Sequence, residues 1–145
     1  MIYGRVSNTK QKQDLERQIK LIKEFMVSNG VVPDDIYSDI ASGMNENRNE
    51  FNKLVTEVLR GGIDTVYISY KDRLTRFGFG YFENLFQKFD TKIKVVNLTS
   101  EEDFQNELVE DLTSIIHHFS MKLYSNRRRE LKRIAKELEN ESLVV

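Results

Sequence analysis

Four short apolar runs, at residues 2–6, 36–38, 63–69 and 93–98, alternate with stretches whose apolar side chains recur every three or four positions. That alternation constrains the fold more than any other feature, because a run of that length suits a strand while the longer period suits one face of a helix. The first helical stretch carries Leu15, Ile19, Ile22 and Met26, the second Phe51, Leu54, Val55, Val58 and Leu59, and the third Phe82, Leu85, Phe86 and Phe89. Strands joined through helices run parallel, since a parallel neighbour is reached only by a crossover, and the crossovers cover the sheet. The pattern predicts a doubly wound α/β fold around a mainly parallel sheet of four or five strands flanked by helices. Asn29-Gly30 and Gly61-Gly62 are expected to end the first two helices, because glycine accepts the left-handed turn of a C-terminal cap.

A chain of 145 residues can bury one real core. Residues 1–100 hold the alternation and are expected to form the α/β core. Residues 101–141 contain neither proline nor glycine, and Leu108, Leu112, Ile115, Phe119 and Leu123 make a helical stripe that Val109 and Ile116 widen. The stripe lapses at residues 125–129 and resumes with Leu131, Ile134 and Leu138. One long helix or two consecutive ones satisfy this pattern, and a helix that overhangs its core calls for a partner such as a second copy of the chain. Charge also separates along the segment: residues 101–111 hold six acidic and no basic side chains, whereas residues 122–136 hold seven basic ones and Glu130. Compensation of the helix dipole explains that separation, and so does contact of Arg127, Arg128, Arg129, Lys132 and Arg133 with a DNA backbone.

Composition removes several classes of protein. With 22 Lys and Arg against 23 Asp and Glu there is no overall basic excess, so any nucleic-acid contact must come from local patches. The absence of cysteine rules out a disulfide framework and a thiolate metal site. The N-terminus lacks the pattern of a signal peptide, and no apolar run approaches the roughly 18 residues of a membrane span. The expectation is a soluble, cytoplasmic protein without membrane association.

In a doubly wound sheet, reactive groups collect beyond the carboxyl ends of the strands. Ser7 follows the first strand, Asp39, Ser42 and Gly43 the second, and Arg48 opens the next helix; Lys71, Asp72, Arg73 and Arg76 follow the third, and Asn97, Thr99 and Ser100 the fourth. Arg5 and Ser7 lie two apart and share one side of an extended strand, while Arg73 and Arg76 share a face of a helical turn. A hydroxyl among arginines suits attack on a phosphodiester, because fixed guanidinium forks stabilise charge spread over the phosphate oxygens without reorganising. Asp39 and Asp72 are candidates for orienting the arginines or relaying a proton. No carboxylates with metal-binding spacing accompany them.

These segments resemble a known family. Tyr3-Gly-Arg-Val-Ser7, Gln11, Asp14-Leu-Glu-Arg-Gln18, Asp39-Ile-Ala-Ser-Gly43 with Arg48, and Lys71-Asp-Arg-Leu-Thr-Arg76 are similar, in order and spacing, to the catalytic domain of the serine recombinases, the resolvase/invertase family. Tyr70-Lys-Asp-Arg-Leu-Thr-Arg-Phe-Gly78 and Leu108-Val-Glu-Asp-Leu112 look most like the subgroup that serves as insertion-sequence transposases. The resemblance covers residues 2–125. It implies a resolvase-like fold whose long C-terminal helix mediates oligomerisation, and a DNA strand transferase working through a 5′-phosphoserine at Ser7. Arg5, Arg48, Arg73 and Arg76 would hold the scissile phosphate with Asp72 among them, and Tyr3, Gln11, Gln18, Asp39 and Lys71 match family positions near the site. It further implies DNA as substrate, a homodimer that pairs into a tetramer for strand exchange, and neither metal nor cofactor. In that subgroup a DNA-binding domain precedes the catalytic one, whereas Met1 here leads directly into the first strand, so the chain is expected to be an isolated catalytic domain or a truncated one.

Plainer readings compete. Ser7 in Ser-Asn-Thr before a helix also reads as a helix cap, and 71–76 alone reads as a solvated loop. A non-catalytic DNA-bound assembly module, or a small phosphoesterase, would use the same fold. His117 and His118 are adjacent and point about 100° apart on a helix, which disfavours metal binding. Gly78-Phe-Gly80 lacks the third glycine of a dinucleotide loop and is expected to allow loop mobility.

Overall fold

The computed structural model describes residues 1–45, 48–96 and 101–143 of the protein. Strands β1 (Ile2–Val6), β2 (Ile36–Ile40), β3 (Thr65–Ile68) and β4 (Lys92–Val95) form a four-stranded sheet in the order β2-β1-β3-β4. All three pairings are parallel. Helices α1 (Lys12–Ser28), α2 (Asn49–Leu59), α3 (Lys71–Leu74), α4 (Phe79–Lys88) and α5 (Glu101–Leu143) complete the chain, with a 3-10 turn at Thr9–Gln11 before α1. The chain divides into two compact units, Met1–Glu107 and Leu108–Val145.

The sequence expectation of a parallel, doubly wound sheet holds, with four strands among the described residues. The differences are local. β2 runs to Ile40 where the apolar run ended at Ser38, and β4 ends at Val95 rather than at Leu98, which lies outside the described residues with Asn97, Thr99 and Ser100. Where the sequence suggested a loop after β3, a single helical turn forms, closed by the Thr75 N–H donating to the Lys71 carbonyl at 3.3 Å. Gly78, at the start of α4, holds φ at 77°, a left-handed value that side chains disfavour.

Each face of the sheet has its own cover. Tyr3, Val66 and Ile68 pack with Phe51, Leu54 and Val58 of α2 and with Phe86 of α4. Ile2 packs on the other side with Ile22 and Met26 of α1. Alternate β1 residues therefore face different helices, as a period of two requires. The chain reverses direction across the sheet between β1 and β3, and a crevice opens there because the helices on either side diverge. β1 pairs with β2 along its whole length, whereas with β3 it is in register at Ile2 opposite Tyr67. By Arg5 the strands have parted. The Arg5 N–H donates to Gln18 Oε1 at 3.0 Å, and its carbonyl accepts from Gln18 Nε2 at 3.2 Å and from Arg73 Nη1 at 3.0 Å.

α1 lies directly on β1 because Gly4 leaves space. A Cβ at Gly4 would come within 3.1 Å of Leu15 Cδ1 and 3.2 Å of both Gln18 Oε1 and Ile19 Cγ1. Gly4→Val should overpack this contact and lower the unfolding free energy by about 1–3 kcal/mol, read from urea denaturation followed by circular dichroism.

Candidate active site

Arg5 extends from the central strand toward the crevice and is fully buried. A buried cation needs acceptors on every side. Arg5 Nε donates to the Arg73 carbonyl at 3.1 Å, Nη1 to the Ala41 carbonyl at 2.9 Å, and Nη2 to the Asp72 carbonyl at 2.5 Å. Burial, and next the Arg73 cation beside it, lower its pKa to about 10, so the group is charged at neutral pH. Gly43 makes the position possible: a Cβ there would meet Arg5 Nη2 at 2.9 Å and the backbone nitrogen of Arg76 at 3.1 Å. Gly43 thus serves close packing around a guanidinium.

The helical turn α3 brings Asp72, Arg73 and Arg76 to the same place, all buried. Asp72 Oδ2 accepts from Arg73 Nη2 at 2.8 Å and from Arg76 Nη1 at 3.4 Å. Burial works against the charge on Arg73, but Asp72 and Glu107 outweigh it and raise the pKa above the ordinary guanidinium value. The Arg76 N–H donates to the Gly43 carbonyl at 3.1 Å, which ties this turn to the loop after β2.

Ser7, at the mouth of the arginine cluster, is half-buried. Its N–H donates to Gln11 Oε1 at 3.1 Å, and its Oγ accepts from Arg5 Nη1 at 3.5 Å. The hydroxyl itself donates to Glu107 Oε1 at 2.5 Å. That same oxygen accepts from Arg5 Nη1 at 3.1 Å and lies 3.5 Å from Arg76 Nη2, while Glu107 Oε2 pairs with Arg73 Nη2. Burial alone would raise the pKa of Glu107. Arg73, the Ser7 hydroxyl and Arg5 together overcome that and hold its carboxyl below the usual carboxylate range.

Glu107 was not singled out from the sequence. It stands within the acidic run of 101–111, and nothing in that run separates it from Glu110 or Asp111. The only available signal was its place ahead of the Leu108 stripe, on a helix whose first turns must meet the core.

Arg48 belongs to a second branch of the network. Its Nη1 donates to the Tyr3 hydroxyl at 3.0 Å, and that hydroxyl donates to Asp39 Oδ2 at 2.9 Å. Asp39 also accepts from the backbone N–H groups of Glu50 at 3.1 Å and Phe51 at 2.9 Å, capping α2. The Arg48 guanidinium lies 4.0 Å from the Phe51 ring centroid. Burial chiefly, with Asp39 adding to it against the pull of Arg48, pushes the Tyr3 phenol well above its ordinary value.

The structure thus gathers Ser7, Arg5, Asp72, Arg73 and Arg76 into one cluster, with Gln11 and Gln18 holding the backbone of β1 and its following turn. It places Tyr3, Arg48 and Asp39 in the adjoining branch. Lys71 is exposed, its Nζ 5.3 Å from the Phe79 ring centroid. Arg127, Arg128, Arg129, Lys132 and Arg133 lie exposed on α5 in the second unit, where Arg133 pairs with Glu130 at 3.9 Å and Glu137 at 3.8 Å. His117 and His118 are exposed on the same helix.

The family model described as resolvase, N terminal domain, matches residues 1–140. A resolvase-family protein of Acanthamoeba polyphaga mimivirus is 40% identical over 131 residues, covering 86% of this chain and 66% of that protein. The chain thus spans slightly less than two thirds of that curated relative. Among solved structures, the C-terminal catalytic domain of ISC1926 TnpA, an IS607-like serine recombinase, superposes with a TM-score of 0.76 at 48% identity, covering 84% of this chain and 83% of that one. A serine recombinase from Sulfolobus solfataricus superposes at 0.77 with 40% identity, covering 87% of this chain and 85% of that one.

The lowered Glu107 pKa fixes the sign of a pH effect. A carboxyl that binds its proton less readily when folded adds stability above the unfolded value of 4.5, and that stability is lost as pH falls through the folded pKa. Glu107→Gln should therefore flatten the acid limb of the stability curve below about pH 4.5, measured by urea titrations at successive pH values.

Proposed function

Because the chain belongs to the resolvase family of serine recombinases, we propose that it cuts and rejoins DNA by metal-independent attack of Ser7 on a phosphodiester. The observation that carries this reading is that Arg5 of β1 donates to the Ser7 hydroxyl, while Arg73 and Arg76, from the turn after β3, meet the same carboxylate to which that hydroxyl donates. Ser7 Oγ forms a bond to phosphorus as the bond to the 3′ oxygen breaks, leaving a 5′-phosphoserine and a free 3′-hydroxyl. The proton lost by Ser7 is matched by the proton the 3′ oxygen takes up.

Arg5, Arg73 and Arg76 are assigned to the non-bridging oxygens, where charge accumulates in the transition state. Asp72, which accepts from Arg73 and Arg76, is assigned to orienting them. Arg48, held by Tyr3 in the adjoining branch, is assigned to the same phosphate. The phosphoserine ester retains the energy of the cut diester, so attack by a 3′-hydroxyl reverses the step without a nucleotide. Site-specific recombination or transposition of an insertion element is the process this chemistry serves. A dimer that pairs into a tetramer is the assembly assigned to it, and the exposed Leu112, Phe119, Leu123, Leu131 and Leu138 of α5 offer apolar surface for it.

A nicked duplex incubated with the protein and resolved under denaturing conditions should yield a covalent adduct that maps to Ser7. Ser7→Ala should give none, and Arg73→Ala should slow adduct formation about 10²–10³-fold, as when one fixed donor to a developing oxyanion is lost. An adduct on another residue, or one that persists in Ser7→Ala, would overturn the assignment.

The basic segment of α5 makes a separate prediction. Replacing Arg127, Arg128 and Arg129 by glutamine should reduce the slope of log affinity against log salt by about 0.9 for each phosphate that the protein no longer neutralises, measured by fluorescence anisotropy on duplex DNA.

A further inference from the structure

The cage around Ser7 already holds an anion. Glu107 presents two coplanar oxygens to three guanidinium groups and to the Ser7 hydroxyl, through contacts with Arg5, Arg73, Arg76 and Ser7. A phosphodiester would present its two non-bridging oxygens to the same donors. We propose that Glu107 is a built-in surrogate for the substrate phosphate, and that it holds the site closed until DNA displaces it. The inference rests on the reading of Ser7 as the nucleophile and adds a control to it.

Three observations support displacement over shared occupancy. The attacking oxygen must come within about 3–3.5 Å of phosphorus, yet Glu107 Oε1 lies 2.5 Å from Ser7 Oγ and fills that space. Charge points the same way. Among the described residues, Arg5, Arg73 and Arg76 face Asp72 and Glu107, so departure of Glu107 removes one negative charge from beside three guanidinium groups. A diester anion meets a better-matched field once Glu107 leaves. Finally, the arginines keep partners other than Glu107. Arg5 is fastened to the carbonyls of Ala41, Asp72 and Arg73, Arg73 to the Arg5 carbonyl and Asp72, and Arg76 to Asp72. Glu107 comes from α5, whereas Arg5, Arg73, Asp72 and Arg76 come from β1 and the turn after β3.

The rival role for a carboxylate on a serine hydroxyl is that of general base. The cations hold Glu107 below the usual carboxylate range, which makes it a poor proton acceptor and a good counter-anion. A state closed by Glu107 also lowers the apparent affinity for phosphate by the fraction of molecules that are open.

The test compares the full chain with its Glu107→Gln and Glu107→Asp variants on the nicked duplex, and separately measures thermal unfolding in rising inorganic phosphate. Glu107→Gln should form the Ser7 adduct about tenfold faster or more, and phosphate should raise its unfolding temperature while leaving the parent protein nearly unchanged. Slower adduct formation by a folded Glu107→Gln, with no gain in phosphate binding, would overturn the proposal in favour of a base. If Glu107→Gln does not fold even in phosphate, Glu107→Asp decides: its shorter reach should still raise the adduct rate above the parent, and a rate at or below the parent sinks the idea. Phosphate binding gained by Glu107→Gln without an adduct in any variant would instead reject the nucleophile assignment and leave the surrogate standing.

Discussion

One buried charge organises this molecule. Transferring a guanidinium out of water costs several kcal/mol unless acceptors replace the lost solvent, and Arg5 sits on the central strand with no solvent exposure. Its acceptors are the carbonyls of Ala41, Asp72 and Arg73 and the carboxylate of Glu107. Those residues come from the segment after β2, the turn after β3 and the start of α5. Satisfying Arg5 therefore draws three distant segments to the end of β1, and Ser7 stands two residues farther along.

The sheet makes the space in which this happens. β1 and β3 are neighbours at Ile2 and Tyr67 but have separated by Arg5, whose backbone is completed by the amide of Gln18 and the guanidinium of Arg73. Side chains thus finish the edge of a parted ladder, and the cost of an unpaired backbone group is avoided. The gap they fill is the crevice where a doubly wound sheet changes direction, the usual place for a ligand in such folds. Gly4 and Gly43 bound it from two sides, one admitting α1 to the strand and the other admitting the Arg5 guanidinium to the loop after β2.

Positive charge on this scale is stable only in a balanced network. Arg73 is held charged by Asp72 and Glu107 despite its burial, and Arg48 is steadied by the Tyr3 hydroxyl and the Phe51 ring. The Tyr3 hydroxyl donates its own hydrogen bond to Asp39, which also caps α2. A single hydrogen-bonded path therefore connects the second arginine branch to the N-terminus of a helix. Electrostatics and helix capping share the same carboxylate, so neither can change alone.

The local pattern of apolar residues was enough to place β1 and the helical faces of α1, α2 and α4, because burial on one side of an element leaves a period in the chain itself. That Ser7, Arg5, Arg73 and Arg76 would lie at one end of the sheet was legible as well, since a doubly wound sheet gathers side chains at the carboxyl ends of its strands. Which groups touch was not legible. The separation of Arg48 into a branch with Tyr3 and Asp39 depends on side-chain directions that spacing does not encode. Glu107 was beyond reach altogether: it lies 100 residues from Ser7 and looks like any other acidic side chain at the start of a long helix. Its role comes from the electrostatic demand of three guanidinium groups, and that demand exists only once the folded chain has brought them together.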